Sequence, residues 1–115
     1  MGSEMCIRDR ASLMITITAI IRSKIGHEET MKMALLEVAQ HVLENEPDTV
    51  DFYISQDIND PCVFTTYERF ASKAAMEAHN GSTAVGIFFE KAQPILDGDV
   101  TLVTAREVSQ KFSKK

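Results

Sequence analysis

Two side chains in the middle of the sequence, Glu68 and His79, are of types that together move protons. A carboxylate that contacts an imidazole orients the ring and stabilises its protonated form. Such a pair can therefore take a proton from a phenol or an enolisable carbon near neutral pH. The alternative is structural, with the two side chains only joining a helix to a sheet through a buried hydrogen bond. Catalysis requires a cavity beside the pair, so the elements that carry it decide between these interpretations.

The remaining reactive side chains carry weaker signals. His27 and His41 are expected to face solvent, and no ligands stand at metal-site spacing around them, so we predict no metal site. Cys62 directly follows Pro61 at the start of a predicted strand and is expected to be a small buried residue rather than a nucleophile. With only one further cysteine, the sequence offers no disulfide framework.

Alternating apolar and polar residues predict four strands. They are expected at residues 14–22, 50–55, 62–70 and 100–107. Apolar residues at helical spacing after Glu28 predict a long helix that stops before Pro47. Ser72 and Ser82 are predicted to cap two shorter helices. The order β-α-β-β-α-β predicts an α+β fold of the ferredoxin-like type, a four-stranded antiparallel sheet with its helices on one face.

The same alternation assigns side chains to the two faces of the predicted sheet. The face under the helices is expected to hold Thr16, Thr18, Val50, Phe52, Ile54, Phe64, Thr66, Glu68 and Phe70. Aromatic walls with a few polar groups are typical of a small-molecule pocket. The candidate site comprises the catalytic residues Glu68 and His79 and the substrate-binding residues Phe52, Phe64, Thr66, Phe70 and Phe88. Plain core packing of the aromatic side chains is the alternative.

The opposite face is predicted to hold a continuous set of apolar side chains. Its members are Ile15, Ile17, Ala19, Ile21, Tyr53, Val63, Thr65, Tyr67 and Val103. A patch of that size is rarely left in contact with water. At about 25 cal/mol per Å², burying several hundred Å² of it is worth on the order of 10 kcal/mol before association costs. We therefore expect a homodimer whose sheets pack face to face; a monomer with scattered exposed apolar residues is the alternative.

Length and charge limit what the chain can be. Its 115 residues suit a single domain, and 12 basic against 17 acidic side chains give a net charge of −5, which argues against a nucleic-acid binder. No apolar run approaches the roughly 20 residues that a bilayer-spanning helix needs. We expect a cytoplasmic protein without a membrane partner. Residues 1–13 are expected to be a disordered or non-native leader, 14–108 the domain and 109–115 a flexible tail.

Short motifs in a fixed order resemble the antibiotic biosynthesis monooxygenase domain family. They are Glu46-Pro47 followed by Phe52, then Asp57, Asp60-Pro61, Tyr67-Glu68-Arg69-Phe70, Ala78-His79, Ser82, Phe88 and Pro94. The resemblance implies a dimeric α+β barrel, in which two ferredoxin-like sheets pack together and each subunit holds a pocket between sheet and helices. It also implies oxygenation of quinols, anthrones or related polyphenols without metal or flavin, because the deprotonated substrate itself reduces oxygen.

Compared residue by residue, the resemblance favours some of the family's activities over others. Haem-degrading members have an asparagine and a tryptophan at the positions of Ile20 and Phe70, so haem is disfavoured. The anthrone oxygenases have an asparagine and a tryptophan at the positions of Thr66 and Phe70. Many members of the family have a histidine where this chain has Ala84. The segment 52–57, together with the retained Glu68 and His79, is also similar to the branch that isomerises a phosphorylated autoinducer-2 product.

The sequence and the resemblance together predict a homodimeric monooxygenase that needs no cofactor and acts on a small aromatic quinol or phenol. Phe52, Phe70 and Phe88 would hold the ring, and Glu68 with His79 would manage the proton. A small-molecule isomerase or a non-catalytic ligand-binding dimer is the second hypothesis. A purely structural dimer with a filled core is the third.

Overall fold

The structure is a computed structural model that describes residues 14–109. The predicted leader, and the predicted tail beyond residue 109, lie outside the described residues. The elements in chain order are β1 (Ile15–Arg22), α1 (Glu28–Asn45), β2 (Thr49–Gln56), β3 (Val63–Phe70), α2 (Lys73–Asn80), α3 (Thr83–Ala92), a 3-10 turn (Gln93–Ile95) and β4 (Thr101–Arg106). All four strands begin and end within one residue of the predicted bounds.

The four strands form one antiparallel sheet with the order β2-β3-β1-β4. α1 packs against both α3 and β2, and the main core lies where these helices meet the sheet. Its buried side chains include Met31 and Leu35 of α1, Phe64 of β3 and Phe88 of α3. The architecture confirms the predicted α+β fold of the ferredoxin-like type.

The long helix α1 is amphipathic and turns one side to the sheet. Its buried residues are Met31, Ala34, Leu35, Val38 and Val42. They recur every three to four positions and therefore share one side of the helix. The helix ends at Asn45, since Pro47 disfavours helical geometry in the residue before it. The Glu46 backbone N–H closes the end by donating to Val42 O at 3.0 Å, which places Glu46 beside the sheet.

Serine caps begin the two short helices, as predicted. Ser72 Oγ accepts a hydrogen bond from Ala75 N at 3.1 Å before α2, and Ser82 Oγ accepts one from Val85 N at 3.3 Å before α3. Each cap satisfies a backbone donor that the first helical turn leaves free. The cap of α2 matters for the site, because the last turn of that helix carries the buried His79.

The strand β1 presents to the helices the face opposite to the predicted one. Ile17 pairs with Glu68 and Ala19 pairs with Thr66, and directly paired residues of antiparallel strands share a face. Ile17, Ala19 and Ile21 are accordingly buried under the helices, each with less than 5% of its surface exposed. The predicted faces were wrong for the whole strand: Ile15, Ile17, Ala19 and Ile21 face the helices, whereas Thr16 and Thr18 lie on the other face.

A β-bulge in β2 overturns a second face prediction. The register against β3 shifts between Thr49 and Asp51, so Val50 is the extra residue. Thr49 is buried in place of Val50, which is 45% exposed and does not belong to the face under the helices. Beyond the bulge, Phe52 and Ile54 pack against the core as predicted.

The outer face of the sheet keeps a smaller apolar set than predicted. The outer apolar set consists of Ile20, Tyr53, Tyr67 and Val103, all large and exposed. Tyr53 and Tyr67 lie directly opposite each other in the register of β2 and β3. On the same face, Arg69 forms ion pairs with Asp51 and Glu107.

Among the described helices, none has both the length and the apolar character needed to cross a bilayer.

Candidate functional site

A cavity of about 70 Å³ lies between the sheet and the helices. Its floor is formed by Ile17, Ala19 and Ile21 of β1, and Phe88 of α3 contributes to its wall. The polar groups of the lining belong to Thr66, Glu68, His79 and Asn80. The reversed face of β1 therefore gives the cavity an apolar floor in place of the threonines expected there.

The structure brings most of the predicted site residues to this cavity. Phe52, Thr66, Glu68, His79 and Phe88 all line it. Phe64 and Phe70 do not line it, although both were predicted to bind substrate. Both residues are at most 1% exposed and belong to the buried core.

Glu68 supplies the buried carboxyl group of the cavity. Its Oε2 accepts a hydrogen bond from Thr66 Oγ1 at 2.7 Å, and its Oε1 lies 3.4 Å from His79 Nε2. Burial raises the pKa of Glu68, because the charged form loses its hydration. The Thr66 hydroxyl and His79 oppose that rise by favouring the charged form, while the negative charge of Glu46 adds to it. The net direction is upward, so Glu68 holds its proton more readily than an exposed glutamate does.

The imidazole of His79 lies between two carboxyl groups, one facing each ring nitrogen. Nε2 faces Glu68, and Nδ1 lies 2.8 Å from Glu46 Oε1. The rings of Phe52 and Phe70 contact it, with centroids 5.6 and 5.3 Å from the imidazole centroid. Only 4% of His79 is exposed, so bulk water has little access to the ring. An imidazole fixed between two carboxyl groups can take up, hold and return a proton.

Glu46 is a partner of His79 that the sequence did not predict. The Glu46-Pro47 pair was interpreted as a helix stop, which it is, but the same position carries a carboxylate towards α2. Thr49 Oγ1 also donates to Glu46 Oε1, at 2.7 Å. The one available signal was that the family-like series of motifs begins at Glu46.

His41 lies closer to the site than predicted. Its Nε2 is 3.1 Å from Glu46 Oε2, and its side chain is 30% exposed, so the expectation that it simply faces solvent was wrong. Within residues 14–109, that buried oxygen accepts no aligned hydrogen bond, so the contact is an electrostatic one when His41 is protonated. His27 is exposed, as expected. No three histidine, cysteine, aspartate or glutamate side chains of the described segment are grouped to hold a metal ion.

The cavity is smaller than an aromatic substrate requires. An apolar cavity of about 150 Å³ admits benzene, which is roughly twice the volume found here. A ring can therefore enter only if side chains of the lining move. Phe89 and Leu102 both line the cavity and are 44% and 54% exposed, so they lie at its mouth.

Solved structures of other proteins share this fold. The chain is similar to protein PA3566 from Pseudomonas aeruginosa, with 21% identity and a TM-score of 0.78 over 86% of this chain and 98% of that one. It is similar to the "Putative antibiotic biosynthesis monooxygenase from Nitrosomonas europaea", with 19% identity and a TM-score of 0.78 over 84% and 100%. A conserved protein from Methanosarcina mazei Go1 has 17% identity and a TM-score of 0.78 over 87% and 98%. At these identities the likeness shows the fold alone.

A sequence profile connects the chain to a family. No curated protein matches the chain. The profile described as "Antibiotic biosynthesis monooxygenase" matches residues 14–91, a segment that contains Glu46, Glu68 and His79. Because this match covers well over half of the sequence, the chain belongs to the antibiotic biosynthesis monooxygenase family.

Proposed function

We propose that this chain is a cofactor-independent monooxygenase that oxygenates a small aromatic quinol or phenol in the cavity. The observation that carries the proposal is the contact between Glu68 and His79 in the lining of an otherwise largely apolar cavity. Apolar walls suit an aromatic ring, and the paired polar groups suit its hydroxyl. Membership of the family supports the reaction class.

The first step of the proposed reaction is removal of the hydroxyl proton. A phenol ionises near pH 10, so few molecules are phenolate at neutral pH unless a base is held against the hydroxyl. His79 Nε2 is the proposed base, since it faces Glu68 and the cavity. The carboxylates of Glu46 and Glu68 on either side stabilise the imidazolium that forms.

The electrons come from the substrate, so the reaction balances without an added reductant. A phenol that becomes a quinone loses two hydrogens, gains one oxygen on a ring carbon and gives up four electrons. Dioxygen accepts these electrons; one oxygen atom stays on the ring and the other leaves as water with the two hydrogens. The proton stored on His79 returns to the reduced oxygen as water departs.

The remaining lining residues position the ring and the acid–base pair. Phe52 and Phe88 are the proposed ring contacts, and Thr66 orients Glu68 through its hydroxyl. Phe70 supports the imidazole instead of the substrate. The proposed working form is a homodimer in the cytoplasm, where the free thiol of Cys62 stays reduced.

Oxygen uptake with a panel of quinols and phenols tests the reaction. Wild-type protein is expected to exceed the enzyme-free rate for at least one compound, with one dioxygen consumed per substrate. His79→Ala is expected to lower that rate by about 10²-fold, because the base is lost. His27→Ala, which changes an exposed histidine outside the site, is the matched control and should keep the wild-type rate. Uptake equal to the enzyme-free rate for every compound, or an unimpaired His79→Ala, would contradict the proposal.

A proton-shuttling isomerase is the second candidate. The Glu68–His79 contact favours it too, since an acid–base pair can move a proton between two atoms of one substrate without dioxygen. Incubation of the same panel and of enolisable sugar phosphates in the absence of oxygen separates the two. Product formed without oxygen at the same rate as in air supports the isomerase and contradicts the monooxygenase.

A further inference from the structure

We propose that Glu46 is a positioning residue that fixes the neutral imidazole of His79 as the Nδ1–H tautomer and so keeps Nε2 free to accept a proton. The tautomer follows from the contacts alone, whereas its use by a catalytic base rests on the function proposed above. Glu46 itself is separated from the cavity by the imidazole, and it does not line the cavity.

The contact geometry assigns the proton to Nδ1. Glu46 Oε1 lies 2.8 Å from His79 Nδ1, the shortest contact that the imidazole makes with a polar group of the described residues. Thr49 Oγ1 donates to the same oxygen at 2.7 Å, so this oxygen acts as an acceptor. A neutral imidazole carries one ring hydrogen, and a carboxylate oxygen can only accept, so the hydrogen belongs on the nitrogen that forms the hydrogen bond, which is Nδ1. Nε2, at 3.4 Å from Glu68 Oε1, is left with its lone pair.

The chain holds Glu46 rigidly in this position. Its backbone N–H donates to Val42 O at 3.0 Å, and its backbone carbonyl accepts from Thr49 N at 3.1 Å. These two bonds fix the residue across the junction between α1 and β2, and the Thr49 hydroxyl then orients the carboxylate. A residue held by two backbone bonds and one side-chain bond loses little further freedom when its carboxylate binds the imidazole, which is what a positioning role requires.

Three titratable groups surround the imidazole from the elements packed against it. Glu46 follows α1, Glu68 lies on β3, and His41 of α1 stands 3.1 Å behind Glu46 at its second oxygen. Protonated His41 would draw charge towards Oε2, and neutral His41 would leave Oε1 the stronger acceptor. In either state Oε1 keeps both of its donors, so the tautomer of His79 does not depend on His41.

The assigned tautomer has a direct chemical consequence. A histidine side chain in water carries its hydrogen mainly on Nε2, which here would point a hydrogen at Glu68 and the cavity. That arrangement could not accept a substrate proton at Nε2. Glu46 reverses the preference, so the nitrogen beside the cavity is basic before any substrate arrives. The proton that Nε2 later accepts forms an imidazolium whose two N–H groups both face carboxyl oxygens.

Nitrogen-15 NMR of the full-length wild-type protein tests the tautomer without any substrate. The chain has three histidines, and the variants His27→Gln and His41→Gln assign the signals of the other two. At a pH high enough to deprotonate the imidazoles, His79 is expected to show a protonated Nδ1 and a bare Nε2. A neutral His79 with its hydrogen on Nε2 would overturn the proposal, whether or not the protein proves to be a monooxygenase.

Two substitutions separate the positioning role from a merely structural one. Glu46→Ala removes the acceptor and is expected to return His79 to the Nε2–H form. Glu46→Gln keeps a carbonyl acceptor at the same place and is expected to retain the Nδ1–H form. Retention of the Nδ1–H form in Glu46→Ala would also overturn the proposal. The wild-type spectrum remains decisive if the alanine variant does not fold.

Kinetics link the tautomer to the proposed reaction. With a substrate identified by oxygen uptake, Glu46→Ala is expected to lower kcat by about 10²-fold with little change in KM, and Glu46→Gln by less. Glu44→Gln, an exposed charge change two residues earlier on α1, is the matched control and should match wild type. A wild-type kcat in Glu46→Ala would show that Glu46 does not serve the base, while the NMR result would still decide the tautomer.

Discussion

Burial governs the chemistry of the carboxyl group of Glu68. Its pKa is raised above the ordinary value of about 4.3 because the charged form is poorly hydrated. A pKa raised in the folded state stabilises the fold below the unfolded pKa, and that stabilisation is lost as the pH rises through the folded pKa. Ionisation of Glu68 therefore works against the fold towards neutral and higher pH.

Glu68→Gln tests this effect at the level of one residue. The neutral amide avoids the cost of ionisation. The melting temperature of the variant, relative to that of wild type at the same pH, should therefore rise as the pH is raised from about 4 to 8. Thermal unfolding followed by circular dichroism at several pH values measures the difference. Glu44→Gln, an exposed glutamate, should show no such trend. A difference for Glu68→Gln that stays constant across this range would contradict the burial argument.

Residue types predicted part of the site. Glu68 and His79 are identifiable because a carboxylate and an imidazole sit on a predicted strand and a predicted helix that face each other. Glu46 is not identifiable in this way, since its contact with His79 joins two places 33 residues apart, and a residue before a proline at a helix end has an adequate local explanation. His41 was missed because its contact with the site is through Glu46, which was itself missed.

At the scale of the element, α2 owes its position to its cap. This helix is only eight residues long, and Ser72 supplies the side-chain acceptor at its start. We expect Ser72→Ala to lower the free energy of unfolding by about 1 kcal/mol, equivalent to a drop of roughly 4–8 °C in Tm for a domain of this size. Chemical denaturation measures the difference in the free energy of unfolding. The control is Ser109→Ala, at an exposed position beyond β4. Equal midpoints for the two variants would count against the cap.

Element bounds follow from local sequence, whereas element faces depend on pairing. β1 carries β-branched residues on both sides, with Ile17 on one and Thr18 and Ile20 on the other, so alternation predicts a strand without deciding which side the helices cover. Its pairing with β3 decides it. In β2, one extra residue at Val50 shifts the register, and such a shift moves a side chain to the other face.

At the scale of the whole molecule, the outer apolar set favours self-association. Tyr53, Tyr67 and Val103 are 57%, 40% and 53% exposed, and an apolar group of this kind is rarely left in water. We expect a solution mass about twice the 12.8 kDa of one chain by light scattering. Tyr67→Glu would bury a charge between the sheets and should yield single chains.

The control for the dimer prediction lies on the helical side of the molecule. Leu43 of α1 is 79% exposed and does not belong to the sheet, so Leu43→Glu makes the same kind of change away from the proposed interface. It should leave the mass at that of wild type. Single chains for the wild-type protein, or equal masses for Tyr67→Glu and wild type at micromolar concentration, would contradict the face-to-face arrangement.

The presence of a cavity was predictable, but its size was not. Mixed aromatic and polar residues under helices indicated a pocket, and Phe52, Thr66 and Phe88 do line one. The volume of about 70 Å³ is the small space left between large, closely packed side chains. It depends on how all of these side chains pack, and no pattern in the sequence predicts that. Entry of a ring therefore depends on movement at the mouth, around Phe89 and Leu102.

The most direct test of the central claim follows oxygen atoms from gas to product. A phenol or quinol that supports oxygen uptake is turned over under ¹⁸O₂, and the product and water are examined by mass spectrometry. The account predicts one heavy oxygen atom in the product and one in water, with labelled product from His79→Ala formed about 10²-fold more slowly than by wild type. Product that carries no heavy oxygen, or labelled product from His79→Ala at the wild-type rate, would contradict oxygenation at this cavity.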